Sequence, residues 1–149
     1  MLRVGTLFSG IGAFEQALKQ LGIPHIIEFA CDNGELELIP LQKIQDRWEY
    51  KKLDRHAKSL DEAQMVRYLE LKAKVSEEIE RIREEALRIE DKRQLHDYIA
   101  DIYRKYGVKK ENKMRKAYLA NYTIDEDNFY TDVRFMNGTI YANQIDIMV

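Results

Sequence analysis

The chain has 149 residues, a net charge of −2, 45% apolar residues and a mean hydropathy of −0.53, which allows one domain with a real core. No run approaches the roughly 20 apolar residues of a membrane span, and MLRVGTLFSG lacks the basic segment, long apolar core and cleavage site of a signal peptide, so a soluble, cytoplasmic protein without a membrane partner is expected. The single cysteine, Cys31, excludes an internal disulfide framework, and His25, His56 and His96 have no zinc-type spacing, so no metal site is expected.

Leu2 to Leu7 is a short, mostly apolar run that ends in a glycine-bearing turn, and Ile11, Phe14, Ala17, Leu18 and Leu21 follow at helical spacing. Gly22 and Pro24 stop that helix, and His25 to Cys31 is a second apolar run. The order β-α-β predicts a parallel pair joined by a right-handed crossover, with the first loop at the ligand-binding edge of a doubly wound sheet.

Between Pro40 and Gly107 there is neither glycine nor proline, and residues 41–121 hold 21 Lys/Arg and 16 Asp/Glu, a net +5. The remaining residues hold 3 basic and 10 acidic side chains, a net −7. This middle segment is predicted to be a helical insertion. Ser59 and Glu62 have capping-box spacing. Val75, Ile79, Ile82, Ala86 and Ile89 make one stripe, which Leu95, Ile99, Ile102 and Tyr106 continue in another phase until Gly107. Glu77 with Arg81, and Glu84 with Arg88, have the favourable acid-before-base spacing. A helical hairpin, or a helix packed on a partner, is the expected product.

Thr123 to Asn128 reads as an acidic turn, Phe129 to Val133 as a third strand, Asn137-Gly138 as a turn and Ile145 to Val149 as a fourth strand. Buried parallel strands need cover on both faces, so a chain that ends inside such a strand is expected to have its sheet completed from outside.

Phe8, Ser9, Gly10, Ile11, Gly12, Ala13 and Phe14 form the loop between the first strand and helix, and its glycines permit close approach of backbone to a ligand. Glu15 stands where the dinucleotide pattern wants a third glycine, which disfavours a pyrophosphate; a cofactor with a cationic sulfonium suits the acidic surroundings better. A connecting turn without a ligand is the alternative. Asp32, at the end of the second strand, has the place of a ribose-binding carboxylate or of a helix cap. Asp132 and the Val133 amide offer an acceptor and a donor to a heterocycle, or belong to the surface. Cys31 lies inside an apolar strand with no basic neighbour, which marks a buried, inert thiol and not a nucleophile. Arg104, Lys105, Lys109, Lys110, Lys113, Arg115 and Lys116, interleaved with tyrosines, are either phosphate contacts or a solvated helix end.

Leu7-Phe8-Ser9-Gly10-Ile11-Gly12-Ala13-Phe14-Glu15 closely resembles the first motif of the cytosine-C5 DNA methyltransferases, which bind S-adenosylmethionine on a Rossmann-like sheet. In the same register Asp32, followed by Asn33, is similar to the family's ribose-binding acidic residue, and Asp132-Val133 to its adenine-reading pair. Gln144 to Val149 looks like the strand that in the family leads into a Pro-Cys loop. Ala13 and Gly34 depart from the family's usual glycine and acidic residue. The resemblance covers residues 1–34 and about 122–149. It implies an α/β fold: a partial Rossmann-like methyltransferase sheet of parallel strands, with residues 1–40 and 122–149 as an S-adenosylmethionine-binding half-domain. Residues 41–121 are then a charged helical insertion after the second strand. It also implies the N-terminal subunit or fragment of a split, or else a truncated, enzyme of the restriction-modification kind. No catalytic residue is expected in this chain, so alone it would be inactive. A complementary chain would supply the catalytic cysteine and target recognition, DNA would join the completed complex, and the insertion would be free to self-associate. A non-catalytic scaffold that uses the insertion to bind protein or DNA is the alternative.

Overall fold

The computed structural model describes residues 1–108 and 111–149. Its elements run β1 (Leu2–Thr6), α1 (Ala13–Gln20), β2 (His25–Cys31), α2 (Ile44–Arg55), α3 (Glu62–Ala86), α4 (Lys92–Tyr106), α5 (Lys113–Asn121), β3 (Phe129–Tyr130) and β4 (Ile147–Met148). The four strands form one all-parallel sheet in the order β3-β2-β1-β4, consistent with a Rossmann-like arrangement. Helix α1 makes the crossover from β1 to β2, as the β-α-β pattern predicts. No helix among the described residues is long and apolar enough to cross a membrane.

A one-residue bulge shapes the sheet centre. Val4 lies opposite Ile27 but Gly5 lies opposite Phe29, so Glu28 is the extra residue of β2. Beyond it the side chains alternate cleanly. Phe29, Cys31 and Tyr130 face one side, where Ile82 and Ala86 of α3, Leu95, Ile99, Tyr103 and Tyr106 of α4, and Phe135 and Tyr141 complete the core. Ala30 and Phe129 face the other side and pack on Tyr118 of α5. The helices between β2 and β3 therefore cover both faces of the sheet. Among the described residues, α2 and the first half of α3 form a further core with Ile39 and Leu41, around Leu53, Tyr68, Leu71 and Val75.

Several local expectations are corrected. Helix α3 is capped by Asp61, whose carboxylate accepts from Gln64 N while the Gln64 side chain accepts from Asp61 N. Ser59 instead closes a 3₁₀ turn, its hydroxyl donating to His56 O. The capping box is thus present two residues later than the Ser59–Glu62 spacing indicates, because the acceptor nearest the first free N–H groups is a carboxylate. Arg81 bonds Glu78 and Glu85 and not Glu77. Helix α3 ends at Ala86, so Arg88 and Ile89 lie in the following turn and only Glu84 of the Glu84–Arg88 pair is on the helix. The third strand stops at Tyr130, because the Asp132 side chain accepts from Arg134 N and turns the chain into a 3₁₀ turn at Val133–Phe135. The fourth strand is likewise limited to Ile147–Met148.

Removal of the capping carboxylate in Asp61→Ala is expected to cost about 1 kcal/mol of stability, whereas Ser59→Ala is expected to stay within about 0.5 kcal/mol of the parent. Urea unfolding followed by circular dichroism measures both.

Candidate functional site

Parallel pairing fixes where the strands end. Thr6 pairs with Ala30, and Cys31 with Tyr130, so the loops that leave β1, β2 and β3 emerge side by side at one edge. The ladder runs one step further, with Asp32 N donating to Tyr130 O at 3.1 Å. This brings the glycine loop, the Asp32 loop and the Asp132 turn to the same edge of the sheet.

The glycine loop is held by backbone bonds together with two side chains, Asp32 at Gly10 N and Tyr122 at Gly12 O. Ser9 N donates to Cys31 O at 2.8 Å and Gly12 N to Ser9 O at 2.9 Å. Gly10 N donates to Asp32 Oδ2 at 2.8 Å. Phe8, Gly10 and Gly12 all have positive φ, at 55°, 53° and 85°. A Cβ at Gly10 would meet nothing within 4 Å, so the loop is open there. The Ser9 hydroxyl is buried and has no hydrogen-bond partner. Phe8 and Ile11 are 77% and 66% exposed, which leaves an apolar rim around this opening. Ala13 begins α1 on the exposed side, Phe14 is half-buried, and Gly12 is the helix N-cap.

Asp32 and Asp132 differ in how much of their acceptor capacity the protein uses. A carboxylate offers about four acceptor positions. Asp32 accepts Gly10 N on one oxygen and Gly34 N on the other, both at 2.8 Å, which leaves the remaining positions for hydroxyl donors. It does not cap a helix, since no helix starts until Ile44. Asn33 is exposed, and its side chain accepts from Glu35 N. Asp132 is buried and takes four donors from within the chain. Its Oδ1 accepts Arg134 N at 2.9 Å and Arg134 Nε at 3.0 Å; its Oδ2 accepts the Tyr103 hydroxyl at 2.5 Å and Arg134 Nη2 at 2.7 Å. An exocyclic amine would have to displace one of them. Val133, 37% exposed, opens the 3₁₀ turn, and the amide that starts a turn has no partner within it.

A cavity of about 660 Å³ adjoins this edge, between α4, α5 and the ends of β2 and β3. Leu36 and Asn112 wall it on the Asp32 side, and Thr131 and Tyr103 on the Asp132 side. That volume lies in the range small-molecule ligands occupy. Of the basic cluster, Arg104, Arg115 and Lys116 also line it, each paired with a carboxylate: Asp101 at 2.5 Å, Glu126 at 3.0 Å and Glu111 at 3.4 Å. Lys105 lies over the Tyr106 ring at 4.9 Å, and Lys113 is exposed in the first turn of α5. Lys109 and Lys110 lie outside the described residues.

Glu15 is fully buried beneath the glycine loop and accepts from the Tyr118 hydroxyl. Burial first, and the neighbouring carboxylate second, push the Tyr118 hydroxyl well above the usual tyrosine range, so it remains a donor. The same two causes act on Tyr103, through Asp132. Sequence inspection assigns no site role to Glu15, Tyr103, Asn112, Tyr118, Tyr122 or Arg134. The one signal for them is the interleaving of tyrosines with cations in residues 103–118, which points outward to phosphate when in fact Tyr103 and Tyr118 point inward to carboxylates.

Burial pushes the Cys31 thiol up to about 12, with Asp132 and Asp32 adding to the effect. The thiolate is therefore disfavoured throughout the neutral range, in keeping with an inert cysteine. Among the described residues no group of three or more His, Cys, Asp or Glu is arranged to hold a metal ion. Comparison with protein-family models, with curated proteins and with solved structures gave no match.

Native protein at pH 8 is expected to leave Cys31 unmodified by a thiol-specific disulfide reagent, and unfolding in guanidinium to release one titratable thiol. Rapid labelling of the folded chain would contradict the burial described here.

Proposed function

We propose that this chain is the cofactor-binding N-terminal subunit or fragment of a cytosine-C5 DNA methyltransferase, seating S-adenosylmethionine at the shared edge of β1, β2 and β3. The observation that carries the proposal is the Phe8–Phe14 loop. Its motif-like sequence sits at the end of the first strand of a parallel sheet, opens at Gly10, and is clasped by a carboxylate with acceptor positions to spare. The neighbouring Ser9 hydroxyl is buried without a hydrogen-bond partner and would gain one from a ligand group that enters the loop.

In this assignment Asp32 accepts the ribose hydroxyls, and the open Gly10 side of the glycine loop lies against the amino-acid end of the cofactor. Asp132 and Val133 meet the adenine once Tyr103 or Arg134 gives up a position. The nearby cavity has room for part of the nucleoside. Bound S-adenosylmethionine supplies an electrophilic methyl group. The thiolate that adds to cytosine C6 belongs to family motifs this chain does not carry, and Cys31 is too deeply buried to replace it. A complementary chain with the Pro-Cys loop completes the enzyme on DNA, and Arg104, Arg115 and Lys116, which line the cavity, contact phosphate by exchanging their carboxylate partners Asp101, Glu126 and Glu111 for it.

One observation favours a different reading, a non-catalytic scaffold: all four acceptor positions of Asp132 are already satisfied internally. Calorimetric titration with S-adenosylhomocysteine separates the two. The methyltransferase assignment predicts saturable binding, by the chain alone or with a complementary Pro-Cys chain, and at least tenfold weaker binding by Asp32→Ala. It also predicts transfer of labelled methyl to DNA only when both chains are present. Absence of binding under both conditions would support the scaffold.

A further inference from the structure

The two glycines at the bends of the cofactor loops do not face the ligand opening. A Cβ at Gly12 would run into the Tyr122 ring, and one at Gly34 into the Asn112 side chain. Both glycines have positive φ, 85° and 56°, so backbone shape and lack of a side chain are required together. Their neighbours are the two caps of a single helix. Asn112 is the N-cap of α5 and Tyr122 its C-cap. Each cap side chain also bonds the loop it touches. Asn112 Nδ2 donates to Asp32 O at 2.7 Å, and the Tyr122 hydroxyl donates to Gly12 O at 2.7 Å. Midway between them the Tyr118 hydroxyl donates to Glu15. The Tyr118 and Tyr122 rings pack on each other, with centroids 4.7 Å apart.

We propose that α5 is a positioning bar for the cofactor loops, with Asn112 setting the Asp32 loop and Tyr122 setting the glycine loop. The middle of the chain thus contributes to the cofactor site instead of serving only to bind DNA or another protein. Neither residue needs to touch the ligand. Each fixes a backbone carbonyl in a loop assigned to the ligand: Asp32 O beside the Asp32 carboxylate, and Gly12 O at the end of the glycine loop that opens at Gly10. Loops held in the binding geometry before the ligand arrives lose less conformational freedom on binding, and affinity rises accordingly. Because it concerns the same pocket, this inference rests on the cofactor assignment made above.

Asn112 performs two separable tasks. Its Oδ1 accepts from Arg115 N and caps α5, while its Nδ2 holds Asp32 O. Asn112→Asp keeps an N-cap of equal quality and replaces the second bond by repulsion between a carboxylate oxygen and the Asp32 carbonyl. Tyr122→Phe likewise keeps the ring against Gly12 and removes only the hydroxyl. Tyr68→Phe, which loses a hydrogen bond to Asp54 between α2 and α3, serves as a control away from the loops. Affinity for S-adenosylhomocysteine is measured by calorimetry, and amide exchange by mass spectrometry or NMR, on the full chain, with the complementary chain present if binding requires it.

Asn112→Asp and Tyr122→Phe are each expected to weaken binding about tenfold, and Tyr68→Phe to leave it unchanged. Exchange is expected to quicken at 32–34 in the first variant and at 9–12 in the second, with α3 unaffected in both. Affinities within twofold of the parent, or unaltered exchange in these loops, would overturn the proposal. If the parent itself fails to bind the probe, the methyltransferase assignment falls. The bar is then judged by exchange alone: quickened loops support it as a brace, and unchanged loops overturn it.

Discussion

The carboxylate of Asp32 lies between two backbone amides, those of Gly10 and Gly34, and the shape of both loops depends on it. The first amide belongs to the chain leaving β1, the second to the chain leaving β2. Each comes from a glycine with positive φ, where the N–H is turned away from the strand ladder and would otherwise lack a partner. Charge-assisted bonds of this kind are shorter and stronger than those between neutral groups. They tie the β1 loop to the β2 loop without covering the opening at Gly10. A carboxylate thus satisfies the backbone while keeping its outer acceptor positions available, which a neutral cap with a single acceptor oxygen would do less well.

The same edge shows why the helices between β2 and β3 cannot be regarded as an appendage. Ile82, Leu95 and Ile99 fill one face of the sheet, Tyr118 fills the other, and a parallel sheet of this kind requires both faces covered. Helix α4 reaches Asp132 through Tyr103, and α5 reaches Glu15 through Tyr118. Both hydroxyls are held in their protonated, donating form by burial and by the carboxylates they face. Among the described residues, α2 and the first half of α3 stand on a further core with Ile39 and Leu41.

The parts of this architecture that follow local rules were legible in the sequence. The β-α-β unit, the boundaries of β2, the stop of α4 at Gly107 and the turn at Asn137-Gly138 all rest on periodicity or on glycine and proline punctuation. So does the meeting of the Phe8–Phe14, Asp32 and Asp132 segments, which parallel register imposes once the strands are recognised. The hidden parts depend on contacts across long stretches of chain. Tyr122 meets Gly12 across 110 residues, and Asn112 meets Asp32 across 80, with no pattern nearby to announce either. The Ser59 and Asp61 alternatives differ by two positions and by one acceptor, which spacing alone does not resolve. The third strand is short because a side chain, Asp132, competes for the backbone N–H of Arg134, a contest that β-propensity does not register.

Strand β4 pairs with β1 along one side only, and it carries Ile147 and Met148 at 39% and 60% exposure. Its one nearby charge, Asp146, is engaged by Arg3 through both backbone and guanidinium and so is drawn inward to β1. Natural sheets blunt a free margin with lysines, prolines or bulges; this margin has none of these gatekeepers in Ile145–Val149. The polypeptide should therefore be sticky in proportion to its concentration, and handling it dilute becomes a practical condition for working with it.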